Sequence, residues 1–155
     1  MAGSMLGITA DDALFKATFA RLRDAVDGRG LRLALSDIGE AMLNSTERRA
    51  ALQESPDGTP WVDLSPKYKK RKEKLRPGVP KLRFDGHMLG DMLSWQHAGD
   101  RAVLIGTNAV QGATHQFGRG AIPARPFLGL STGDRTEIED ILGDHILRAA
   151  ENRTP

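Results

Sequence analysis

The chain has 155 residues, of which 39% are hydrophobic and 27% charged, a net charge of +2 and no cysteine. That length suits one domain with a real core, and the composition argues against a wholly disordered chain. The lack of cysteine excludes disulfides and thiolate metal sites, and the sequence opens on no long apolar run of the kind that marks a secretory signal or a membrane span.

Phe, Trp and Tyr make up only 5% of the chain, so the core must rest mostly on Leu, Ile, Val, Met and Ala. Residues 5–152 are expected to form the domain. Met1-Ala2-Gly3-Ser4 before Met5 reads as a cloning remnant and is set aside. Thr9 with Asp12 resembles a capping signal, and Phe15, Phe19, Leu22 and Val26 fall at i, i+4, i+7 and i+11, which predicts an amphipathic helix ending near Gly28. Leu31, Leu35, Ile38 and Met42 repeat the spacing. They predict a second helix over 31–52 with a polar last turn at Arg48 and Arg49, paired with the first across Gly28-Arg29-Gly30.

The turn-rich string SPDGTP at 55–60 stops that helix, and WVDLS at 61–65 docks an aromatic and a leucine. In residues 67–83 nine cations (six Lys, three Arg) face one acid, Glu73, so this segment carries +8 and the remainder −6. Residues 66–82 are expected as a mobile loop with some helical tendency. Asp85 is expected to cap a short helix carrying Met88, Leu89 and Met92. LSWQHA at 93–98 and RAVLIG at 101–106 flank Gly99-Asp100 and predict a hairpin with a two-residue turn. A short helix over 108–117 is expected to stop at Gly118. In AIPARPFLGLS at 121–131, Pro123 and Pro126 fix their own φ and push the preceding residues out of the helical region. Residues 122–127 are therefore read as a rigid extended arm or edge strand, and 127–131 as a returning strand. A final helix over 134–150 has Ile138, Ile141, Leu142, His145 and Ala149 on one side. No repeat of 20–50 residues appears. The class is α+β: two N-terminal helices, a small antiparallel sheet containing the hairpin, and a C-terminal helix packed on the sheet.

The sequence gives little support for catalysis. His87 and Asp91, four apart, with His115 as a third ligand, would suit a small metal-dependent hydrolase. No HExxH pattern, nucleophile elbow or phosphate-binding loop accompanies them. No cofactor is expected. The basic run, with Lys67, Lys69, Lys70, Arg71, Lys72, Lys74 and Arg76 and the single interleaved aromatic Tyr68, suits non-specific contact with a polyanion or a partner. This makes a nucleic-acid-binding module the alternative function. An exposed arm with unpaired backbone groups invites strand addition or subunit contact.

The gapped string HQFG at 115–118 and IPARPFLGLS at 122–131 resembles the signature of the phage virion morphogenesis, or tail completion, family. PWVDLS at 60–65 with Tyr68 and Lys72, and LRFDGHML at 82–89, are similar to two further stretches of that family. The likeness spans about residues 8–150 and departs from the family at Gln111-Gly112, where Tyr-Ala is usual, and in a lysine-richer basic segment. The resemblance implies a non-enzymatic structural protein of a phage or prophage, assembled in the bacterial host cytoplasm and placed in the virion tail or neck. It implies a homo-oligomeric ring at the head-proximal end of the tail, which completes the tail and lets heads join. The implied partners are further copies of the chain, the tail terminator or tube, and the head connector, with no membrane. The ring reading makes His115, Phe117, Arg119, Arg125 and Phe127 interface candidates, with Phe127 and Leu128 weighed as core residues and Arg125 as the assembly contact.

Overall fold

The computed structural model describes residues 28–151. The helix expected over 9–28 lies outside the described residues. Among the described residues four helices and two strands follow one another: α1 (Gly28–Leu52), α2 (Pro66–Leu75), β1 (Leu93–His97), β2 (Val103–Thr107), α3 (Gly112–Phe117) and α4 (Thr132–Glu151). The α+β class is borne out. Gly28, Arg29 and Gly30, expected as a turn between helices, are themselves helical. Glycine costs about 1 kcal/mol in a helix, and the apolar stripe that begins at Leu31 outweighs it.

That stripe sets the architecture. Leu31, Ala34, Leu35, Ile38 and Met42 are buried at helical spacing and meet Ile138 and Leu142 of α4, with Val103 and Ile105 of β2 packed against them. Each such aliphatic side chain contributes about 2 kcal/mol by leaving water. A second cluster gathers Ala50, Trp61, Met88, Leu89, Leu93, Ala109, Phe127 and Leu128. Ile105 packs against both clusters and joins them. The hairpin approaches α1 closely because residue 39 is glycine: a Cβ there would stand 2.4 Å from the Trp95 ring. The Trp95 indole N–H then donates to Glu40 at 2.8 Å.

Four local expectations differ from the structure. The hairpin pairs Leu93 with Thr107 through to His97 with Val103, and Ala98 N–H donates to Ala102 O at 2.9 Å. The loop is therefore three residues, Gly99-Asp100-Arg101, with Gly99 at φ +69° supplying the bend. Residues 85–92 form successive turns in place of a capped helix: the His87 carbonyl accepts from both Gly90 and Met92, and Asp85 pairs with Arg76 at 3.7 Å. Residues 66–75, expected as loop, form α2: Pro66 occupies its first turn, and Ser65 Oγ accepts from the Tyr68 N–H. Residues 127–131 make no strand, because their backbone groups are claimed by side chains.

Candidate functional site

The proline arm is stitched down along its length. α3 stops at Gly118, whose φ of +77° suits glycine, and a Cβ there would stand 2.9 Å from Ala124 N. Arg119 and Ile122 exchange backbone hydrogen bonds of 2.9 and 3.0 Å, and the Arg125 N–H donates to the His115 carbonyl. Gln116 then replaces a strand partner. Its Oε1 accepts from the N–H groups of Phe127 and Leu128, both at 3.0 Å, and its Nε2 donates to Leu128 O at 2.9 Å. A side-chain amide carries both donor and acceptor in one plane, which is what a peptide edge requires. Trp61 Nε1 donates to Pro126 O at 2.7 Å.

Arg125 is buried, with 3% of its surface exposed. Its Nε donates to Val62 O at 2.7 Å and its Nη2 to Asp63 O at 2.8 Å, so one planar guanidinium ties the arm to the segment before α2. Arg125, expected as the assembly contact, is thus an internal clamp of the single chain. Phe127, 1% exposed, is likewise a core residue and no interface residue of the single chain.

A second polar node lies between α1 and α4. Arg49 Nη1 reaches Asp134 Oδ2 at 2.6 Å and Ser45 Oγ at 2.7 Å, its Nη2 donates to Gly129 O at 3.0 Å, and Ser45 Oγ also donates to Asp134 Oδ1. Ser131 and Asp134 form a capping box at the start of α4: Ser131 N–H donates to Asp134 Oδ2 at 2.8 Å and Asp134 N–H to Ser131 Oγ at 3.0 Å. Burial alone would raise the Asp134 carboxyl above its ordinary value; the hydrogen bonds from Ser45 and Ser131 and the Arg49 charge outweigh it and hold it below. Through the Gly129 carbonyl this node anchors the far end of the arm.

The remaining candidates sort into two groups. On α2, Lys69 pairs with Asp63 at 2.8 Å, Lys72 is buried with its ammonium on the Val79 carbonyl, and Arg76, just past the helix, pairs with Asp85. These three are occupied within the fold, and Lys72, expected on a partner-facing loop, is turned inward in the single chain. Lys67, Lys70, Arg71 and Lys74 are exposed on the opposite side, with Arg71 over the Tyr68 ring at 5.8 Å. In the turn before α3 Val110 is 94% exposed, on α3 Ala113 and Phe117 face outward with Phe117 63% exposed, and on the arm that follows Ile122 is 43% exposed. Arg119 is exposed on the same bend.

A cleft of about 530 Å³ separates α2 from the arm, lined in part by Tyr68, Arg71, Phe84, His87, His115 and Ile122. His87 and Asp91 pair with each other at 3.2 Å, both exposed. Among the described residues no three His, Asp or Glu side chains are placed to hold a metal ion. The His115 Nδ1 is buried without a hydrogen-bond partner, and burial, with a smaller push from Arg125, lowers its pKa. A lowered imidazole binds its proton more readily in the unfolded chain, so its contribution to stability is complete above about pH 6.5 and is lost as pH falls from there through the folded value. Thermal melts should therefore lose more stability between pH 7 and pH 5.5 in the wild type than in His115→Gln; equal losses would contradict this.

The comparisons with known proteins bear on the same segments. The family model described as phage virion morphogenesis matches residues 6–147, which takes in the arm, its clamps and all four described helices up to the last turn of α4. The chain belongs to the phage virion morphogenesis family. The chain is similar to Mu-like prophage FluMu G protein 1 of Haemophilus influenzae, 32% identical over 133 residues that cover 85% of this chain and 88% of the relative. FluMu G protein 2 of the same organism is 32% identical over 119 residues, covering 68% and 84%. Tail completion protein S of Escherichia phage P2 is 24% identical over 147 residues, covering 86% and 96%. No solved structure matches. Gln116, Arg49 and Asp134, which hold the arm, are not among the residues that the sequence singles out as functional: Gln116 stands only within HQFG and Arg49 only in a polar last turn. The capping pattern Ser131-x-x-Asp134 was available for the last of the three, and Arg49 falls seven residues after Met42 on the same helical stripe.

Proposed function

We propose that this chain completes the tail of a phage or prophage, as the name of the P2 relative says of that protein, and that it does so at the head-proximal end so that heads can join. The observation carrying this reading is the family match over residues 6–147, supported by a P2 relative that is aligned over 96% of its own length. Among the described residues no helix is long and apolar enough to cross a membrane.

The mechanism is self-association into a ring. A head-to-tail contact that closes on itself presents unlike faces to the two sides, which suits a joint between a tail and a head connector. The contact surface is the apolar edge made by Val110, Phe117 and Ile122, since clustered exposed apolar side chains on a folded domain mark interaction sites. Arg119 and the outer wall of the cleft, with His115, border it. A buried aromatic contact in an interface is worth about 2 kcal/mol or more, roughly 30-fold in affinity. Native mass spectrometry should accordingly find a discrete oligomer for the wild type, and Phe117→Asp should shift it to monomer with an unchanged melting temperature. A wild type that stays monomeric at high concentration, or a Phe117→Asp oligomer of undiminished mass, would refute the ring.

A further inference from the structure

Helix α2 divides its cations by function. At 100° per residue, Lys69 and Lys72 stand 60° apart on the side that faces Asp63 and the Val79 carbonyl, and Arg76, just past the helix, pairs with Asp85. Lys67, Lys70, Arg71 and Lys74 stand at i, i+3, i+4 and i+7 on the opposite side. All four are exposed, and none pairs with a carboxylate among the described residues. The one acid of the helix, Glu73, is turned to the Gly78 N–H at 3.2 Å. A run of like charges that would be expected to stay unfolded is thus helical because three of the seven cations from Lys67 to Arg76 are bonded within the fold, and what remains outside is a row of four positive charges without a carboxylate partner among the described residues.

We propose that this outward row, Lys67, Lys70, Arg71 and Lys74, is a contact for the phosphate backbone of duplex DNA that does not read sequence. The row is about 10 Å long at 1.5 Å per residue, and one DNA strand carries a phosphate every 3.4 Å or so, so three to four phosphates fall within reach of four cations. Three of the four are lysines, point charges on long stems that follow a phosphate track without fixing register. Arg71, the one planar group, lies over the Tyr68 ring. No apolar side chain stands inside the row, whereas the centre of a protein–protein interface is depleted in lysine and built on apolar or aromatic anchors. The apolar edge on α3 has that second character, and the two surfaces are chemically distinct. With −6 on the rest of the chain, the field of α2 also orients the approach of a polyanion toward this face.

The test is fluorescence anisotropy with the full chain and two unrelated duplexes of about 25 base pairs, titrated between 50 and 200 mM salt. The expected log–log slope is about −2.7 to −3.6, equal for both sequences, with affinity falling roughly 40- to 150-fold across that range. Each single Lys→Ala in the row should flatten the slope by about 1. The quadruple variant Lys67→Ala, Lys70→Ala, Arg71→Ala and Lys74→Ala should abolish binding while nearly keeping the wild-type melting curve, because among the described residues these side chains pair with no carboxylate and make only the exposed contact of Arg71 with the Tyr68 ring. Lys81→Ala, which removes a cation bonded to the Trp61 carbonyl, should leave the slope unchanged. Three results would overturn the proposal: no duplex binding at 50 mM salt, a quadruple variant with unaltered slope, or a quadruple variant whose only defect is a lower native mass. The last would assign the row to a contact with an acidic protein surface. The DNA titration needs no ring, so its failure leaves the tail-completion reading standing, and failure of the ring leaves this contact testable.

Discussion

Asp134→Ala is expected to destabilise the protein by about 3–5 kcal/mol, the usual cost of leaving a buried charge without its partner. Asp134 is 2% exposed, and the Arg49 guanidinium that faces it at 2.6 Å meets no other carboxylate among the described residues. The substitution also removes the capping box of α4 and frees the Ser131 N–H. For a chain of this length the loss corresponds to a fall in melting temperature of about 10 °C. Arg49→Met combined with Asp134→Leu should recover part of the loss, since removing both charges spares the burial of an unpaired one. Urea denaturation measures both, and an Asp134→Ala midpoint equivalent to less than 1 kcal/mol would show that the node is incidental. The same pair gives an acid limit: the carboxyl is held below its ordinary value, so its stabilisation is present above about pH 3.8 and disappears as pH falls through the folded value.

Arg125→Ala should cost about 2–4 kcal/mol, because it strands the carbonyls of Val62 and Asp63, at about 1–3 kcal/mol for each unsatisfied group, and opens space beneath the arm. Arg125→Lys should recover only part of this, as one ammonium cannot reproduce a two-point planar contact. An assembly contact behaves differently on replacement, giving a stable monomer with a lost oligomer. Denaturation and native mass measured on the same sample separate the two roles, and a fully stable Arg125→Ala monomer would restore the interface reading.

Much of the frame was legible because the burial pattern is periodic. Leu31 to Met42 and Ile138 with Leu142 repeat at helical spacing, and the apolar runs on either side of Gly99 pair as a hairpin, with the turn one residue longer than read. What escaped were side chains acting in place of backbone. Gln116 supplies the hydrogen bonds that a returning strand at 127–131 would have needed, so an extended, apolar segment forms no ladder. Arg125 and Lys72 look like surface charges in a string, and only the fold reveals that carbonyls of distant segments satisfy them. The helix at α2 was announced by Ser65-Pro66, a cap followed by proline in the first turn, yet the charge density argued for a loop. Its counter-charges, Asp63 and Asp85, lie before and after the run, where periodicity gives them no weight.

The central claim is that this chain finishes a phage tail so that a head can join. The direct measurement is in vitro complementation, using heads and tails produced by the encoding phage or prophage with this gene deleted, mixed with the purified chain and counted by electron microscopy. Separate heads and tails that join on addition of the wild-type chain, and fail to join on addition of Phe117→Asp, are the predicted result. Intact, joined particles produced without the chain would contradict the account.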